Sequence, residues 1–271
     1  MNLLHPLRWL LLVAPAVLPI LQAAQEPPAR ERVSLNDGWH FQKGDPADAA
    51  DSLSYEQMKP WLLPSGNAFR STPAARPEGT PPGEGISVTQ AAFDDKGWRS
   101  LSLPHDWGIE GPFDQALPGE SGKLPWFGVA WYRKSFELPA SDAGRRIQLQ
   151  IDGAMAYSAV WCNGKFVGGW PYGYASYQLD LTPYLKPGAG NQLAIRLDNP
   201  QESSRWYPGG GIYRNVWLLK TSPVHVDAWN TFVTTPDVSP ESAGIAMKIG
   251  LSNDSAQAAQ VRVATQIFKC A

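Results

Sequence analysis

From Arg145 to Asp152 apolar and polar residues alternate, which places Ile147, Leu149 and Ile151 on one side. A period of two is the mark of a half-buried strand. Similar strand signals, carried by aromatic and branched residues, recur from Trp131 to Leu138, Ala156 to Cys162, Lys165 to Gly169 and Tyr177 to Leu181, through Leu193, Ile195 and Leu197, and from Ile212 to Lys220. Asn163-Gly164 between two of these runs is a two-residue hairpin signal. Thr182 to Leu185 reads as one helical turn, ended by Pro187-Gly188. Upstream, the turn signal Asn36-Asp37-Gly38 precedes Trp39 and Phe41, which alternate with polar neighbours, and Leu101 and Leu103 mark a short strand. Only Ala47 to Lys59 suggests a short helix. Short strands with turn signals between them predict an all-β, jelly-roll-like sandwich and not a parallel α/β sheet.

Two long stretches lack periodicity. Pro64 to Gly85 is rich in Pro, Gly, Ser and Thr and predicts an insertion with little order of its own. Gly108 to Gly128 holds Trp126 and Phe127. Such a loop serves either as a binding loop or as a cover for sheet edges. Beyond Ser222-Pro223 the pattern restarts. Val224 to Phe232 reads as a link; Ile245, Met247, Ile249 and Leu251 alternate, and Val261, Val263 and Ile267 follow. About three strands fall short of the seven or so of an immunoglobulin-like sandwich. The expectation is the start of such a unit, in a chain that is a fragment. The predicted domains are 25–222 and 223–271.

Residues 1–24 resemble a secretory signal peptide: His5 and Arg8 precede the apolar run Trp9 to Leu21. The run is short for a membrane span and carries Pro15 and Pro19. The reading is a secreted or periplasmic protein, not membrane-bound once the leader is removed. Among 271 residues the net charge is −2, with no basic cluster, which argues against nucleic acid. Of the two cysteines, Cys162 sits in an apolar run and reads as a small buried hydrophobe; pairing with Cys270 is the lesser alternative.

The chemistry-bearing stretch is Ser203 to Lys220. Pro208 and three glycines release the backbone before Ile212. Arg205, Trp206 and Tyr207 crowd the loop before them. Flat aromatic faces beside a guanidinium suit a sugar. The plainer reading has the aromatics plugging the end of a sandwich and Arg205 pairing with a surface acid.

A set of motifs occurs in one order: N-D-G-W-x-F at Asn36–Phe41, F-D-D-x-x-W at Phe93–Trp98, L-P-H-D-W at Leu103–Trp107 and W-Y-R-K-x-F at Trp131–Phe136, then W-C-N-G-K at Trp161–Lys165, D-L-T-P-Y-L at Asp180–Leu185 and R-W-Y-P-G-G-G-I-Y-R-N-V-W-L from Arg205. Together they resemble the N-terminal sugar-binding domain of glycoside hydrolase family 2, nearest to bacterial β-galactosidases. The resemblance covers roughly 30–225. It implies a retaining hydrolase whose two catalytic glutamates, about 5 Å apart, stand on a barrel domain outside this chain. It also implies a carbohydrate substrate, no cofactor and a parent enzyme that can be oligomeric.

Glu110, Asp114, Glu120 and Glu137 stand in ordinary loop or strand-end positions and are not assigned as catalytic. No metal-ligand spacing is visible. The resemblance carries Asp106 and Asp198 over as sugar-contacting acids, with Asn199 as the alternative to Asp198 and Arg205 as a hydroxyl or carboxylate partner. Against these stand structural readings: Asp106 as a turn cap, and Asp198 with Arg205 as an ion pair. His105 reads as a packing residue. The second functional reading is a non-catalytic carbohydrate-binding sandwich acting alone.

Overall fold

The computed structural model describes residues 28–49, 52–69, 71–119, 122–201 and 209–268. The leader-like start, Glu120, the stretch from Arg205 to Tyr207, and Cys270 lie outside the described residues.

Two antiparallel sheets face each other. The first holds β1 (Arg30–Ser34), β10 (Val216–Thr221), β5 (Arg146–Ile151) and β8 (Tyr177–Asp180), in that order. The second runs β3 (Arg99–Leu101), β2 (Trp39–Lys43), β4 (Gly128–Leu138), β9 (Ala189–Asn199), β6 (Ser158–Cys162) and β7 (Lys165–Trp170). The inward positions of both sheets form one core: Ile147, Leu149 and Ile151 meet Trp39, Tyr132, Ile195 and Leu197. This is the β-sandwich that the alternation predicts. Gly38, at φ +68, lets the chain leave one sheet after β1 and enter the other at β2.

The outer face of the six-stranded sheet is buried too. Trp131, Trp161, Ala159 and Ala194 pack there against Leu53, Met58, Leu62 and Val88. Among the described residues the covering segment contains one α-helix, α1 (Tyr55–Leu62), and shorter 3-10 helices after it. The α-helix starts later than the expected Ala47–Lys59, since residues 47–49 and 52–53 form turns, and it brings Met58 and Leu62 to that face. The expectation of little order in Pro64–Gly85 is corrected. Trp161 Nε1 donates to Pro82 O at 3.0 Å, Lys165 Nζ to Glu84 at 2.8 Å, and Asn67 and Ala74 bond twice. Further along, buried Arg133 donates to Asp95, Val88 O and Gln90 O. The cover is fixed by polar groups projecting from the sheet, and such bonds leave no periodic trace in sequence.

Beyond the sandwich, β11 (Val224–Thr234) and β12 (Ala246–Asn253) form a hairpin. Two expectations change here. Val224–Phe232 is a strand and not a link, and Val261–Ile267 forms no strand. Neither alternating face of the hairpin packs into a core: Phe232, Met247 and Leu251 stay exposed.

Candidate functional site

The functional candidates gather at one end of the sandwich, where β4 begins and β9 stops. Gly128 pairs there with Asn199. Loop residues 104–108 run beside 209–212: His105 N donates to Ile212 O at 2.9 Å and Trp107 N to Gly210 O at 2.7 Å. The glycines are required by this approach. A Cβ on Gly210 would lie 2.2 Å from the buried Trp107 ring, and one on Gly211 2.3 Å from His105 O. Trp107 Nε1 then donates to Trp126 O at 2.9 Å, and Asn199 Nδ2 reaches both Trp126 O (3.1 Å) and Gly209 O (2.6 Å). The long loop ending at Gly128 is thus stitched into this end through Trp126.

Asp106 works as a clasp. Its Oδ1 accepts the N–H groups of Gly108 and Gly210, each at 2.8 Å. The first bond is the expected turn cap; the second joins segments a hundred residues apart. Its Oδ2 lies against Gly209, where a Cβ would come within 2.5 Å. The side chain is half-buried.

His105, Glu110 and Tyr132 form a hydrogen-bonded chain. Glu110 accepts two bonds from Arg99, both 2.7 Å, and contacts His105 Nε2 at 3.2 Å. His105 Nδ1 lies 2.6 Å from Tyr132 Oη. With Nε2–H donated to the carboxylate, Nδ1 accepts the phenol proton. Burial holds the imidazole below its usual pKa, and Arg99 first among its neighbours holds Glu110 low. Burial also drives the Tyr132 phenol well up. The chain looks like a proton relay, but Tyr132 is wholly buried in the core and can touch no substrate. Its work is to fix the base of the loop 104–108.

Asp198 sits one residue before Asn199 and points to the opposite face of β9. There it contacts Arg196 Nη1 at 3.2 Å. Arg196, 4 % exposed, is held chiefly by Asp45, Nε to Oδ1 at 2.8 Å and Nη2 to Oδ2 at 2.7 Å. Asp198 keeps 21 % of its side chain exposed. Next to it is Tyr157, whose phenol pKa is raised by burial and then by the charges of Tyr55 and Asp198. The rings of Tyr157 and Tyr55 lie 4.2 Å apart, and Lys59 Nζ stands 5.8 Å above Tyr55. Tyr157 holds φ +44, a left-handed value that bulky residues adopt only under constraint. The structure therefore brings Asp106 and Asp198 to the same end, on opposite sides of Asn199, with Asn199 itself committed to the backbone.

Tyr55, Tyr157 and Lys59 were not among the residues picked out by sequence. Tyr55 stands in the non-periodic cover, and no residue type announces a left-handed backbone at Tyr157. The expected ion partner of Asp198 is Arg205, outside the described residues; within them the partner is Arg196. Asp114 caps its own turn through Ala116 N, and Glu137 is exposed at the far end of β4. Among the described residues no group of three His, Cys, Asp or Glu could hold a metal ion.

Residues 121–222 match the family described as glycosyl hydrolases family 2, sugar binding domain. This segment carries the sugar-binding domain of glycosyl hydrolase family 2. A β-galactosidase of Bacteroides ovatus, BoGH2A, is 48 % identical over 176 residues, which cover 64 % of this chain and 21 % of that protein. A β-glucuronidase of Formosa agariphila is 29 % identical over 198 residues, covering 65 % and 20 %. A solved family 2 glycosyl hydrolase from Bacteroides cellulosilyticus superposes with a TM-score of 0.64 at 31 % identity, over 82 % of this chain and 24 % of that one. The chain spans about a fifth of the curated relatives it matches. The matched residues include Asp198, Asn199 and the Gly210 that Asp106 holds.

Proposed function

We propose that this chain is the N-terminal portion of an exported β-galactosidase with a retaining mechanism, its two catalytic carboxylates standing on a further domain. In this reading the end of the sandwich forms one wall of the sugar site. Asp198, half-buried beside the Tyr157 and Tyr55 rings, carries the proposal. A carboxylate there accepts two sugar hydroxyls in charge-assisted bonds, and the aromatic pair offers an apolar surface to a pyranose C–H face. Asp106 serves the same wall from within by holding Gly108 and Gly210 in place. Arg205, outside the described residues, is proposed as a hydroxyl partner by the motif alone. The 48 % identity to a β-galactosidase supports galactosides over glucuronides as substrate. The leader-like residues 1–24 support export to the periplasm or the medium.

Four acids of the described residues support placing the catalytic pair elsewhere. Asp45, Asp95, Glu110 and Asp142 are all engaged by arginine, lysine or histidine. The test compares two purified proteins: this chain, and the product of the longer reading frame that contains it. The chain alone is expected to leave p-nitrophenyl β-galactoside intact, and the longer protein to cleave it with retention at the anomeric carbon. Turnover that copurifies with the short chain would overturn the proposal, as would a longer protein that prefers the glucuronide.

A further inference from the structure

The four-stranded sheet has a second face, turned away from the core, and its register arranges the side chains there in rows. One row carries Arg32, Leu219 and Gln148 across β1, β10 and β5; the next carries Trp217, Gln150 and Gln178 across β10, β5 and β8. The amides are linked, Gln178 Nε2 donating to Gln150 Oε1 at 3.0 Å and Gln150 Nε2 to Asp152 at 2.6 Å. Over this face stands an irregularity of β11, whose pairing with β12 slips between Val226 and Thr231. Trp229 lies in that slip with φ +57 and 53 % of its surface exposed. Two adjoining clefts, of about 430 and 240 Å³, run beneath it and share Gln148, Ala228 and Trp229. The larger lies within the usual range of small-molecule sites, about 300–1,000 Å³. Thr221 lines the smaller one, and its hydroxyl is buried without a hydrogen-bond partner.

We propose that this cleft binds a neutral oligosaccharide, with a pyranose face against Trp229 and hydroxyls on the glutamine amides. Glutamine amides offer donors and acceptors together, which is what a hydroxyl needs. The broad face of an indole suits the C–H side of a sugar ring. An acidic ligand fits less well, because the cations nearby are already engaged. Arg146 pairs with Asp180 at 3.0 Å and with Asp254 at 3.4 Å. Arg32 lies 3.9 Å over the Trp217 ring and 3.6 Å from Asp152, and Arg30 donates to Val226 O. The cleft belongs to the opposite sheet from β9 and Asp198, so it is a second site. It shares with the functional reading only the class of ligand.

The experiment titrates the 271-residue chain with β-1,4-galactotetraose and, in parallel, tetragalacturonate, by calorimetry and by following the Trp229 indole N–H resonance. The expected result is saturable binding of the neutral tetrasaccharide, with a dissociation constant of about 1 mM, and a shifted Trp229 resonance. Trp229→Ala and Gln148→Ala should each weaken it about tenfold, while Glu137→Ala, at the exposed far end of β4, leaves it unchanged. The proposal fails if tetragalacturonate binds more tightly, if neither sugar saturates, or if Asp198→Ala abolishes binding and Trp229→Ala does not. That last pattern would leave the sugar wall at Asp198 standing alone. If Trp229→Ala does not fold, the unaltered chain decides: binding without a shift of the Trp229 resonance overturns the cleft.

Discussion

Arg196 and Asp45 meet as a two-pronged ion pair between β9 and the start of the cover, and this leaves Asp198 as the third and longer contact of the same guanidinium. A buried arginine stripped of its main partner is costly, about 3–5 kcal/mol. Removing a half-exposed secondary partner costs about 1 kcal/mol or less. Asp45→Ala should therefore lower the urea midpoint strongly and Asp198→Ala hardly at all. In the longer enzyme Asp198→Ala is expected to cut kcat/KM by about one to three decades with Tm nearly unchanged. Normal kinetics with a large loss of stability would make Asp198 a structural residue only.

Gly210 leaves no room for a methyl group against Trp107. Gly210→Ala should cost about 1–3 kcal/mol through forced shifts of a packed ring, with loss of the near-ultraviolet circular dichroism of the tryptophans. Gly97, with nothing near its would-be Cβ, is the control position. If both alanine variants melt together, the three-glycine segment is not under the constraint described.

His105 and Glu110 give the end of the sandwich an acid sensitivity. The imidazole is buried and its pKa is depressed, so the unfolded chain takes up a proton at higher pH than the folded one. Its contribution is complete above the unfolded value of about 6.5 and shrinks as pH falls below it. Glu110, held low by Arg99, acts in the same direction further down: its stabilisation is present above the ordinary carboxyl range and lost as pH falls through the folded value. Stability should fall from about pH 6.5 downward, and His105→Gln should flatten the upper part of that slope. Urea midpoints measured at a series of pH values check this; an unchanged slope in the variant would reassign it.

Cys162 is buried among core residues, and burial raises its thiol pKa to about 12. The reactive species is the thiolate. Native protein should leave this cysteine unlabelled by iodoacetamide at pH 8, with labelling appearing only in urea. Peptide mapping after labelling distinguishes Cys162 from Cys270.

Strands were the legible part of this chain. The alternation at Ile147, Leu149 and Ile151 has one physical cause, a sheet with a single apolar face toward the core, and period two reports it directly. The cover over Trp131 and Trp161 was not legible, because it is fixed by Arg133, Trp161 and Lys165 reaching individual carbonyls and carboxylates. The site was legible in part. The run of glycines announced a backbone free of the usual angular limits, and the structure uses their lack of side chains for a close approach to Trp107 and Asp106. The aromatic neighbours of Asp198 could not be read, since Tyr55 comes from the cover and Tyr157 depends on a backbone angle that sequence does not encode for tyrosine. Val261–Ile267 shows the opposite error. Its alternation is real, but a strand needs a partner edge, and the alternation says nothing about whether one is paired to it.

The pairing of Arg30 with Thr221 sets a schedule for the newly made chain. The first strand of the sandwich waits on the ribosome until the last has been made, roughly 190 residues later. At about 5–20 residues per second that interval lasts roughly 10–40 s. Throughout it β1 has no edge to join, and the clasp between Asp106 and Gly210 lacks its second half. Synthesis speed and chaperone access thus bear on this domain more than on one assembled from neighbouring hairpins.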